Sequence, residues 1–177
     1  VNAGAIPTDH WTQEPTVGGG RIIGEACHYI DYLVHLVGSP IVSVSARHAT
    51  GMSSDAEDIV SIQLAFADGS IGTVHYFSNG AKALPKERCE VFFDGAVLQM
   101  NNFKSVKSYG KVKLGRRSPT SRQEKGHAEQ FAAVTKSLQL GAPPPIPFEE
   151  LVNVTQASFA AVTSLRSGGE LQDLRSQ

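Results

Sequence analysis

The chain has 177 residues, 41% of them apolar and 19% charged, and 16 Lys and Arg against 17 Asp and Glu leave a formal charge of −1. This composition excludes intrinsic disorder as the main state and bounds the chain at one or two domains with a sizeable core. The charge balance excludes a nucleic-acid or acidic-membrane surface as the main business, because phosphate binding needs a clear basic excess.

Val1 to Ile6 reads as a short strand, and Pro7, Pro15 and Gly18-Gly19-Gly20 then mark an irregular stretch. A first residue of Val in place of Met is what a processed product or a fragment would show. From Arg21 to Val37 the apolar residues Ile22, Ile23, Ala26, Cys27, Ile30, Leu33, Val34, Leu36 and Val37 recur at helical spacing, and Gly38 before Ser39-Pro40 stops the helix. The middle alternates: strands are predicted at Ile41 to His48, Asp58 to Phe66 and Ile71 to Phe77, the last two joined at Asp68-Gly69. Asn79-Gly80, Asp94-Gly95 and Tyr109-Gly110 punctuate further strands at Cys89 to Phe93, Ala96 to Met100, Phe103 to Lys107 and Lys111 to Leu114. Helices at Glu124 to Leu140 and Phe148 to Leu165 close the chain, separated by Pro143-Pro144-Pro145-Ile146-Pro147. Short turns between consecutive strands imply a meander, so the fold class is α+β: an open, predominantly antiparallel sheet of about six or seven strands covered on one face by helices.

The two cysteines, Cys27 and Cys89, make neither a disulfide framework nor a Cys-rich zinc site, which fits a reduced, cytoplasmic setting. No run approaches the roughly 18 apolar residues of a membrane span, and the N-terminus has no signal-peptide pattern, so a soluble protein without membrane or nucleic-acid partners is expected. The basic run Lys111, Lys113, Arg116, Arg117 and Arg122 reads as a solvated loop.

The first helix carries the chemistry. At about 100° per residue its apolar set fills one half of the circumference, and Arg21, Glu25, His28, Tyr32 and His35 fall on the other, with Gly24 and Asp31 at the edge. Two readings stand: the solvated face of an amphipathic helix, or a site whose imidazole and carboxylate groups move protons and bind hydroxyls. Glu25 and His28 are three apart and within reach of a hydrogen bond that would fix the imidazole tautomer. The glycine run is more readily explained where a backbone must approach something closely. It is no dinucleotide fingerprint, since G-x-G-x-x-G would need glycine where Ile23 stands, and no strand precedes it. A second E-x-x-H, Glu124 and His127, belongs with a surface or capping position, because a carboxylate-bridged metal pair needs a helical bundle. His10, His48 and His75 lack ligand spacing, so no metal is expected; Trp11 reads as a core or interface aromatic.

The run from Gly18-Gly19-Gly20-Arg21 through Gly24-Glu25 and His28 to Asp31 resembles the first helix of the C-terminal domain of the Gfo/Idh/MocA oxidoreductases, the family of glucose–fructose oxidoreductase and inositol dehydrogenase. The hairpin Ile62 to Phe77, the strand pair Glu90 to Met100 and the end from Phe131 to Gly168 follow that domain's order. Members are two-domain NAD(P)-dependent enzymes, with an N-terminal Rossmann domain and a C-terminal domain whose open sheet supports substrate binding and assembly. The resemblance implies that His28 is the active-site histidine, a general acid or base at the substrate CH–OH. Many members carry Asp four residues earlier, where this chain has Gly24, so Glu25 becomes the candidate for the carboxylate role, and Asp31 matches a frequent Asp of structural or catalytic use.

The resulting expectation is the substrate-binding and assembly domain of an oxidoreductase acting on a sugar, nucleotide sugar or cyclic polyol. His28 and Glu25 are its catalytic candidates, and Arg21, Asn2 and Asp31 its substrate contacts. NAD or NADP would be bound mainly by a missing Rossmann domain and not by this chain, which alone would be inactive. The partners implied are that domain and a second copy met through the open sheet face. The competing expectation is a non-catalytic scaffold domain that dimerises through that face.

Overall fold

A computed structural model describes residues 1–7, 9–14, 16–49, 57–114 and 120–175. In chain order the elements are a 3₁₀ turn (Trp11–Gln13), a π-helical turn (Ile22–Ala26), α1 (Cys27–Val37), β1 (Ile41–His48), β2 (Ile59–Phe66), β3 (Ile71–Phe77), β4 (Arg88–Phe93), β5 (Ala96–Asn101), β6 (Ser105–Gly110), α2 (His127–Leu140), α3 (Phe148–Arg166) and β7 (Gln172–Asp173). They fall into two compact units, one of Ala3–Gly80 with Ile146–Gln177, the other of Val1–Asn2 with Ala81–Pro145.

The first unit is a four-stranded antiparallel sheet in the order β3-β2-β1-β7. The period-2 pattern sends Val60, Ile62, Leu64 and Phe66 of β2 and Val74 and Tyr76 of β3 to one face, where all are buried. Ile22, Ala26, Ile30 and Val34 from the first helical segment and Ala157, Ala160, Ala161 and Leu165 from α3 supply the rest of the core. The small residues of α3 let it lie close on β1 and against α1. On the other face β3 presents Ile71, Thr73, His75 and Phe77 outward, with Ile71 85% exposed. The β2–β3 connection keeps Asp68-Gly69, with the Asp68 carboxylate accepting from Ser70 N (3.0 Å) and Ser70 Oγ (2.9 Å) and Gly69 at φ 90°.

The second unit is a three-stranded meander, β4-β5-β6. Asp94 (φ 49°) and Gly95 (φ 73°) form its two-residue hairpin turn, both in the left-handed region that such a turn requires. Glu87, buried just before β4, accepts from Lys125 Nζ (2.7 Å) and Gln123 Nε2 (2.9 Å) and so ties the segment leading to α2 onto this sheet.

The α+β class and the antiparallel meander stand as expected, whereas the expected continuous sheet is instead two sheets. β7 was not foreseen. The third strand of the meander starts at Ser105 and not at Phe103, because Asn102 and Phe103 (both φ 51°) make a turn, and residues 111–114 form no strand. Residues 1–6 contribute only an isolated bridge at Asn2. Phe131, Val134, Leu138 and Leu140 of α2 are exposed. Lys111, Lys113 and Arg122 are exposed as a solvated run requires, and Arg116 and Arg117 lie outside the described residues.

Candidate active site

The approach to α1 is set by glycines, the first of which is packed against the protein's own backbone. A Cβ on Gly18 would stand 2.5 Å from Thr12 Cα and 2.6 Å from Trp11 O, so only glycine lets this segment pass the 3₁₀ turn. Gly19 and Gly20 follow at φ 71° and 82°, a pair of left-handed residues that swings the chain into the helix. At Gly18 the close approach inferred from sequence is therefore to the chain's own backbone. Trp11 is exposed and tilted against His10 at a 5.8 Å centroid distance, so it is not a core residue.

The helix then opens with a π-turn, in which Cys27 N donates to Ile22 O five residues back. Such a turn is wider than an α-turn, so positions before and after it are rotated relative to a regular helical wheel. The five residues expected on one face are divided accordingly. Arg21 turns inward and is 5% exposed; His28 is exposed, while Asp31 is half-buried.

Arg21 is the hub of a buried polar cluster. Its guanidinium donates to Gly4 O (2.7 Å), Ala3 O (3.3 Å) and Glu25 Oε2 (2.9 Å), lies 3.6 Å from Asp58 Oδ2, and stacks 5.1 Å over the Tyr76 ring. Asp58 is 4% exposed and also accepts from Gln13 Nε2 at 3.3 Å. The Tyr76 hydroxyl donates to Glu25 Oε2. Burial, and then that bond to Glu25, push the Tyr76 phenol far above its ordinary value, so it remains a neutral donor. The cluster binds the N-terminal segment, the π-turn, β2 and β3 into one piece. Arg21, expected as a substrate contact, is committed to this role and has no face open to a ligand. The Glu25 carboxylate, carried by the π-turn, accepts from Arg21 and Tyr76.

His28 and Asp31 are brought together as neighbours on α1, and α3 completes a cleft of about 360 Å³ around them. The α1 wall contributes Ile23, Cys27, His28 and Asp31, and α3 contributes Leu151, Val154, Thr155, Ser158 and Phe159. An imidazole and a carboxylate thus face a largely apolar wall, an arrangement suited to a hydroxylated ligand with one apolar face. Ser158 Oγ is spent on Val154 O (2.8 Å) and Thr155 Oγ1 on Leu151 O (2.8 Å), each leaving oxygen lone pairs as acceptors. Cys27 is no nucleophile here, since burial raises its thiol above the ordinary value. The α3 wall was missed from sequence. Thr155 and Ser158 stand among several other polar residues of α3 and gave no distinct signal.

Asn2 lies in the other unit. Its Nδ2 donates to Ala81 O and Leu84 O, both at 2.9 Å, which clamps the 81–84 turn, and its buried Oδ1 is without a partner among the described residues. His75 faces outward from the sheet and is hydrogen-bonded to Ser61 Oγ at 2.8 Å. Among the described residues no group of three or more His, Cys, Asp or Glu could hold a metal ion, and no helix is long and apolar enough to cross a membrane.

The sequence model of the GFO/IDH/MocA C-terminal domain family matches residues 2–99. No curated protein sequence matches significantly. Among solved structures, levoglucosan dehydrogenase in complex with NADH and levoglucosan is 18% identical with a TM-score of 0.76, over 94% of this chain and 53% of that one. The aldose-aldose oxidoreductase of Caulobacter crescentus, complexed with glycerol, is 16% identical with a TM-score of 0.74, over 97% of this chain and 52% of that one. The UDP-N-acetylglucosamine 3-dehydrogenase of Acidithiobacillus ferrooxidans is 14% identical with a TM-score of 0.65, over 82% and 47%. At such identities these likenesses show the fold, and the chain spans about half the length of each of these structures.

Proposed function

The chain belongs to the GFO/IDH/MocA C-terminal domain family, and from that premise we propose that it forms the substrate-binding part of an NAD(P)-dependent oxidoreductase acting on a CH–OH group of a sugar, nucleotide sugar or cyclic polyol. The observation that carries the reading is the placement of His28 in the cleft between α1 and α3, on the helix that the glycine turn and π-turn present. Oxidation of an alcohol requires loss of the hydroxyl proton, and His28 is the group of this cleft that takes it, or returns it in the reverse direction. Asp31 accepts a hydrogen bond from a neighbouring hydroxyl, while the Ile23, Leu151 and Phe159 wall meets the apolar face of the ring. The levoglucosan and nucleotide-sugar relatives support that substrate class.

NAD or NADP, as in the NADH complex of the levoglucosan enzyme, is assigned to an N-terminal Rossmann domain. In the chain's own glycine run the space beside Gly18 is taken by the Thr12 and Trp11 backbone, and Ile23 stands where the dinucleotide fingerprint needs glycine. The outward row Ile71, Thr73, His75 and Phe77 of β3 supports assembly of copies through the open sheet face. Two free thiols, Cys27 and Cys89, suit a cytoplasmic setting. The test is His28→Ala in the complete enzyme. Turnover falls by about 10²-fold or more with substrate binding retained; turnover within a few-fold of wild type removes His28 from the role.

A further inference from the structure

We infer that the α1–α3 cleft selects its substrate by charge: it takes a ring that is uncharged or bears an ammonium group and rejects one that carries a carboxylate or phosphate, with Asp31 making the choice. This deepens the reading given above and rests on the cleft being the substrate site.

The residues that line the cleft include one imidazole, one carboxylate and one thiol, and no Lys or Arg. To take the hydroxyl proton in the oxidation direction His28 enters neutral, so the standing charge of the lining is the Asp31 carboxylate. Asp31 is half-buried, and no hydrogen bond or ion pair joins it to another of the described residues. Across from it stand Leu151, Val154 and Phe159, which offer an anion no donor in return for its lost hydration. A carboxylate in such surroundings attracts a cation and repels an anion more strongly than one in open water.

The composition of the unit that forms the cleft points the same way. Ala3–Gly80 with Ile146–Gln177 holds 12 Asp and Glu against 4 Arg and no Lys; all eight lysines of the chain fall between Ala81 and Pro145. The first unit therefore has no flexible ammonium to swing into the cleft. Its arginines are committed elsewhere. Arg21 is buried against Glu25 and Asp58, Arg166 reaches Glu57 at 3.1 Å and Arg175 reaches Asp173 at 2.6 Å, while Arg47 of β1 lies against Gly169. The α3 wall itself opens on two further carboxylates, Glu149 and Glu150.

The experiment uses the complete enzyme and titrates matched pyranoses by saturation-transfer NMR, without turnover: D-glucose, D-glucosamine, D-glucuronate and D-glucose 6-phosphate. Glucosamine is expected to bind at least as tightly as glucose, and the two acidic rings about tenfold more weakly or worse. Asp31→Asn keeps the shape and removes the charge. It is expected to narrow the gap between glucose and glucuronate by about fivefold or more, with glucose itself held within about threefold. Thr155→Lys, at an exposed position of the α3 wall, adds a cation to the cleft and narrows the same gap, which covers the case in which Asp31→Asn does not fold. Acidic rings that bind wild type as tightly as glucose, or an enzyme that binds neither glucose nor glucosamine, overturn the inference. Two further results overturn it and are told apart. Variants that shift every sugar alike keep the cleft as the sugar site and remove charge selection alone, whereas variants that leave every affinity unmoved show that the cleft is not the sugar site.

Discussion

Replacing Arg21 by Met tests the cluster on which the site is built. Met fills a similar volume but leaves Asp58, 6% exposed at its side chain, and Glu25, 27% exposed, without their cation, and it strips donors from Gly4 O and Ala3 O. Removing one partner of a buried ion pair costs about 3–5 kcal/mol, and the lower end applies because Glu25 can turn to water. With a urea slope of about 2 kcal/mol per molar, a loss of about 3 kcal/mol lowers the unfolding midpoint by about 1.5 M. Far-UV circular dichroism against urea measures it. The double variant Arg21→Met with Asp58→Asn recovers about 1 kcal/mol or more, since the stranded charge is gone. A midpoint for Arg21→Met within about 0.3 M of wild type refutes the reasoning and leaves Arg21 free for the ligand role read from its sequence position.

Two glycines in the same segment separate steric need from helix propensity. Gly18→Ala drives a Cβ into fixed backbone at 2.5 Å and is expected to cost about 1–3 kcal/mol. Gly24→Ala meets nothing nearer than 3.7 Å and is expected to gain about 0.5–1 kcal/mol, both read by thermal melting. Tyr76 gives a pH dependence of known sign: its phenol is raised in the folded state by burial and by Glu25, so its contribution is full below the unfolded value of about 10 and is lost as pH rises above it. Urea midpoints taken near neutrality and at about pH 11 should fall more for wild type than for Tyr76→Phe, and equal falls would count against the buried phenol.

Much of the framework was legible because it rests on local pattern. The bounds of β1 and β3 follow from runs of β-branched and apolar residues bounded by turn residues, and the Asp94-Gly95 turn from residues that tolerate positive φ. What the pattern missed depends on partners distant in sequence. Arg21 reads as exposed by type, yet Asp58, just before β2, and Tyr76, on β3, neutralise and cover it. The π-turn is invisible to a wheel drawn at a constant angle, so the bonds of Glu25 to Arg21 and Tyr76 could not be read from it. β7 is two residues long and has no period of its own; it exists because Ser43 and Val44 offer it an edge. The α3 wall of the cleft emerges only when α1 and α3 are packed together.

The central claim, that His28 is the proton-transfer group of the α1–α3 cleft, is tested most directly by chemical rescue. Single-turnover oxidation by the complete His28→Ala enzyme is followed with added imidazole across pH. The account predicts a rate lowered by about 10²-fold or more that imidazole restores in proportion to its neutral form. A His28→Ala enzyme that turns over at the wild-type rate without imidazole contradicts it.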